Sequence, residues 1–257
     1  MRPKLFNEIV NDLWEYFDDI KGADYVAKNS MPILFFGDLD SYFKSPTKII
    51  TVAKNPSHSE FPADVKRFDT LNKNITNTDF YIEILSQYFN NNPYTSWFNN
   101  FEKLLQHLDA SFYGNSYPDD KNKLSFKWMP QPNCVLHTDI CSPIATNPTW
   151  NDLSKTEQRK LLNKGESIWH ELIKLLEPDL ILISCKEEYK NNIVVDNNWS
   201  EILLSQTIPD ISPRHKLKCA KFATSSVFWI SSNVPPIAMK DADLPQIASL
   251  IKSHKDS

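Results

Sequence analysis

KIITVAKNPSHSEF, residues 48–61, decides how the rest of the chain is read. Ile49 to Ala53 is a short apolar, β-branched run, the pattern of a strand buried on both faces. It stops on Lys54-Asn55-Pro56-Ser57-His58, and the proline cannot extend a sheet ladder. A buried strand that ends on an amide, with a hydroxyl and an imidazole just behind, places chemistry at the tip of a central sheet.

Working outward, similar runs recur at CVLHTDI (134–140), DLILIS (179–184), LKCAKF (217–222) and SVFWIS (226–231), and PILFF (32–36) is stopped by Gly37-Asp38. Helical spacing separates them. Leu5, Ile9, Leu13, Phe17 and Ile20 form a stripe over 4–20. Asp79 to Asn90 and Ser96 to Leu108 repeat it, with Pro93 as the break. Residues 154–177 predict a long amphipathic helix, Ser154 its N-cap and Glu157 completing a capping box. A last helix is expected over 243–253. The stretch 38–46 reads as a polar loop, and 110–133, rich in turn formers, as an excursion over the surface.

Continuous strands separated by helices predict one α/β domain over 1–257, with a core of about 30–253. Its central sheet is mostly parallel and flanked by helices on both faces. Ligands of such sheets bind beyond the carboxyl ends of the strands. Three strands carry polar residues there: Asn55-Pro56-Ser57-His58, His137-Thr138-Asp139 and Ser232-Asn233.

Composition narrows the function. Of 257 residues, 41% are hydrophobic and 23% charged, as in ordinary globular proteins, and the formal net charge is −4. A nucleic-acid groove would therefore be local, built from a few cations. With only 4 Gly against 17 Pro, neither a dinucleotide fingerprint nor a P-loop can be written. Cys134, Cys141, Cys185 and Cys219 form no C-x-x-C pair, so neither a zinc nor an iron–sulfur site is expected, and free thiols fit a reducing compartment. MRPKLFNEIVNDLWEYF lacks the apolar core of a signal peptide, and no apolar run reaches membrane-spanning length. A cytoplasmic monomer without cofactor or membrane association is expected.

The motifs AKNPSH, VLHTDICSP, EPDLILISC and FWISSNVPP, in that order over roughly 30–253, resemble those of the uracil-DNA glycosylase superfamily. Its first core strand ends in Gly-x-Asp/Asn-Pro. Ala53 stands here at the glycine, and Asn55 matches the branch specific for mismatched thymine and uracil. The resemblance implies a monofunctional DNA glycosylase that flips out and excises a damaged or modified pyrimidine, with DNA as partner.

It also implies roles. Asn55 would position the attacking water, with Pro56 beside it. Ser57 stands where efficient uracil enzymes place a bulky tyrosine that screens the pyrimidine C5, so modified cytosines or thymine would fit, and defence against modified foreign DNA is one setting. Phe68, with Phe61 as competitor, would stack on the flipped base. His137 would read it through a ring N–H, and Asn233 would stabilise the leaving base beside a Val234-Pro235-Pro236 wedge.

The residues alone leave other readings open. An Asn-Pro turn, a capping serine, a core phenylalanine and a buried His–Asp pair each account for one candidate. His137 and Asp139 share a strand face, and Asp139 rivals Asn55 as the general base. His58, Lys54, Arg67 and the Arg214-His215-Lys216 cluster are candidates for phosphate contact. A binding protein that has lost the chemistry, or a hydrolase of free nucleosides, are the rival functions.

Overall fold

The computed structural model describes the chain except residues 1–2, 63–67, 69–76, 92, 117–125, 195–197, 232–238 and 256–257. Seven strands form one sheet: β1 (Ile49–Ala53), β2 (Ala110–Ser111), β3 (Asn133–Asp139), β4 (Leu180–Ile183), β5 (Ser200–Ile202), β6 (Leu217–Phe222) and β7 (Ser225–Ile230). Their spatial order is β2-β3-β1-β4-β7-β6-β5. The first five in that order run parallel, and β6 and β5 add antiparallel at one side. The fold is α/β with a mostly parallel sheet.

Burial explains the parallel part. Every residue of β3, β4 and β7 is buried, so these strands need cover on both faces and lack alternation. β6 is only partly buried beyond Leu217. It pairs with β7 through a hairpin that reverses at Ala223, whose φ is 52°.

The helices are α1 (Asn7–Ile20), α2 (Leu39–Lys44), α3 (Thr78–Ser86), α4 (Thr95–Gln106), α5 (Lys155–Leu176), α6 (Glu187–Ile193) and α7 (Leu244–His254). Adjacent residues of β3 show that both faces are covered. Thr138 accepts a hydrogen bond from Trp169 of α5 at 3.0 Å, while the ring of His137 lies 4.7 Å from that of Trp97 on α4. Ser154 and Glu157 close the expected capping box on α5. Among the described residues no helix is long and apolar enough to cross a membrane.

Some expectations change. The start of 110–133 is not a surface excursion: Ala110 and Ser111 form strand β2, and Phe112, Tyr113 and Trp128 are buried. Glu102 organises this segment by accepting from Phe112 N and Trp128 Nε1. The polar loop after Asp38 contains α2, which Asp38 caps through Ser41 N. The N-terminal helix opens with a 3-10 turn over Pro3–Phe6 before α1. β5 and α6 are elements too short for periodicity to reveal.

Candidate functional site

β1 and β3 pair with Ala53 opposite Asp139 and Thr51 opposite His137, so their carboxyl ends emerge together. The loops beyond are sewn to each other. Ile140 N donates to Ala53 O, Cys141 N and Ser142 N to Lys54 O, Thr146 N to Pro56 O, and His58 N to Thr146 O. α5 presses on this seam at Gly165, where an added Cβ would lie 2.3 Å from Cys141 O.

Asn55 sits within the seam, half-buried. Its Nδ2 donates to Pro56 O at 2.8 Å, Thr146 Oγ1 at 3.0 Å and Ile144 O at 3.3 Å. Two of these partners are carbonyls, which only accept, so the amide orientation is fixed by chemistry. Its Oδ1 takes no donor among the described residues and remains available as an acceptor.

On the neighbouring strand His137 is 3% exposed and Asp139 8%. Thr51 Oγ1 lies 2.8 Å from His137 Nδ1, and His137 Nε2 lies 3.7 Å from Asp139 Oδ1. Phe36, Trp97 and Phe98 surround the imidazole, with Phe36 stacked at 5.9 Å and 23°. Asp139 Oδ1 is buried and has no hydrogen-bond partner among the described residues.

The remaining candidates take these places. Ser57 is half-buried and caps the 3-10 turn His58–Glu60 through Ser59 N. Pro56 is buried and His58 exposed. Phe68 is buried between Phe61 and Tyr88, and Tyr88 packs on Phe36, so an aromatic chain links it to His137. Tyr88 also donates to the buried Glu60 carboxylate at 2.5 Å.

Lys54 is half-buried, and burial holds its ammonium below the usual lysine value while Nζ donates to Asn151 Oδ1. Arg214 is exposed before β6 and therefore at the same end of the sheet, but β4 and β7 intervene between β1 and β6. Arg67 and Asn233, with the wedge at 234–236, lie outside the described residues.

Lys186 follows β4 at this edge and Lys216 precedes β6, so cations border several strand ends. Cys141 and Cys185 flank β1, but burial raises both thiols, Cys185 to about 12 and Cys141 well above its ordinary value. Neither is a thiolate at neutral pH, which removes them as nucleophiles.

The reading of the sequence missed Thr51, Phe36, Trp97, Phe98 and Thr146. Their signal is tertiary, because nothing in their spacing links them to His137 or Asn55. Searched against models of known protein families, the chain matches none. No curated protein matches it either.

Proposed function

We propose that the protein is a DNA glycosylase that hydrolyses the bond between deoxyribose and a damaged or modified pyrimidine flipped out of the helix. The observation that carries this reading is the Asn55 carboxamide, whose Nδ2 is locked by Pro56, Ile144 and Thr146 and whose Oδ1 is left as an acceptor. A water held by Oδ1 faces C1′ of the sugar. The C1′–N1 bond breaks with its electron pair on the base, the water oxygen bonds to C1′, and its proton passes to solvent or to the base.

An amide orients water but does not take its proton, so the chemistry favours good leaving groups. His137 and the rings around it form the dry wall against which a base is read. Lys54, Lys186, Arg214 and Lys216 stand along this edge beside Glu187 and Glu188, and in a chain of net charge −4 they would serve as local contacts to a phosphate backbone. Ser57 is a small side chain, so it would screen a pyrimidine C5 substituent less than a bulky aromatic would.

The test is incubation with oligonucleotides carrying different modified pyrimidines, followed by alkali to reveal abasic sites. Asn55→Ala abolishes cleavage with folding intact. Cleavage that survives Asn55→Ala and is lost in Asp139→Ala would transfer the main role to Asp139. Affinity falling with salt at a log-slope of about −0.9 per phosphate contact separates a DNA enzyme from a hydrolase of free nucleosides.

A further inference from the structure

We infer that the base taken by this site carries an amino group at the pyrimidine 4-position, a cytosine derivative, and that Asp139 selects it. The inference rests on the glycosylase reading above and narrows its substrate.

Asp139 ends β3 with 8% of its surface exposed, and its Oδ1 is sealed from solvent without a donor. A buried acceptor left unpaired is costly, and the usual remedy is a nearby N–H. Here the neighbouring donors are committed. The amides of Ile140, Cys141 and Ser142 bond to Ala53 O and Lys54 O. Asn55 Nδ2 is taken by Pro56, Ile144 and Thr146, and Lys54 Nζ by Asn151. His137 Nε2, at 3.7 Å, is beyond hydrogen-bond length. Among the described residues no donor reaches Oδ1, and the inference assigns that donor to the base.

A carboxylate only accepts. The 4-amino group of cytosine donates to it, whereas the 4-oxo group of uracil or thymine sets two acceptors against each other. His137 reinforces this choice. The Thr51 hydroxyl can donate to Nδ1, and in that tautomer the ring proton sits on Nε2, 3.7 Å from Asp139 Oδ1. An imidazole N–H next to a carboxylate matches the acceptor N3 and donor 4-amino group of cytosine. It opposes the N3–H and 4-oxo group of uracil.

The experiment uses three pairs of oligonucleotides differing only at position 4: cytosine and uracil, 5-methylcytosine and thymine, 5-hydroxymethylcytosine and 5-hydroxymethyluracil. Each base is placed in a single strand and opposite an abasic analogue, so that base-pairing strength does not enter. The amino member of an excised pair is released roughly ten- to a hundredfold faster. Asp139→Asn, whose amide can also donate, levels or inverts the ratio.

If the oxo member is released as fast or faster and Asp139→Asn leaves the ratio unchanged, so that the better leaving group alone accounts for it, the inference is overturned and the glycosylase reading stands. If no base is released from any oligonucleotide, the glycosylase reading itself fails and takes this inference with it. Thermal melting reports whether Asp139→Asn folds; if it does not, competition of free cytosine against free uracil for the wild-type site, in which no bond breaks, decides the matter, and equal or tighter binding of uracil overturns the inference.

Discussion

Asn55 Nδ2 donates to Thr146 Oγ1 at 3.0 Å, across ninety-one positions of sequence. That bond ties the loop after β1 to the loop after β3, and it aims the other end of the amide. Thr146→Val removes the acceptor while keeping the shape. Net loss of one such bond costs about 0.5–1.5 kcal/mol in denaturant unfolding. If Asn55 positions water, kcat falls while KM for the oligonucleotide is little changed, and Thr146→Ser restores it.

Asn55→Asp is expected to harm the protein although it supplies a carboxylate. The oxygen replacing Nδ2 would face Pro56 O and Ile144 O, an arrangement of acceptors that costs about 1–3 kcal/mol. Those carbonyls raise the new carboxyl's folded pKa. Its protonated form donates, so the deficit shrinks as pH falls and is greatest at neutral pH. Urea titrations of the variant and wild type at acidic and neutral pH measure it. Equal stability at neutral pH would contradict the amide assignment.

Gly165→Ala tests the packing beneath the site. Its Cβ would meet Cys141 O at 2.3 Å and Cys141 C at 2.6 Å, both backbone atoms that cannot rotate aside. The expected destabilisation is about 1–3 kcal/mol, with a lowered melting temperature. Because displaced backbone continues into Ser142–Ile144, activity falls further than folding alone accounts for.

Glu102 gives a pH prediction away from the site. Burial raises its carboxyl above the ordinary value of 4.5, against hydrogen bonds that lower it. The folded state thus binds the proton more tightly than the unfolded chain. The resulting stabilisation is complete below the unfolded value and is lost as pH rises through the raised folded value. Glu102→Gln cannot ionise, so unfolding free energy across this window shows a shallower decline with pH than wild type.

The sequence by itself determined the class of fold. Runs such as ILI in β4 and the continuous apolar stretch of β3 have no polar alternation, and only a sheet covered on both faces buries them. It also located the tips of β1 and β3, because a proline and polar residues end runs that are otherwise buried, and local capping chemistry marked α5. Local pattern could not reveal β2, β5 or α6, whose few residues span too little of any period.

Tertiary structure alone decided the partners. That Thr51 meets His137, that Thr146 fixes Asn55, and that Asp139 Oδ1 has no donor among the described residues follow from strand register and loop closure. A hydrogen bond depends on where two distant segments come together, and spacing along one chain carries no record of that distance.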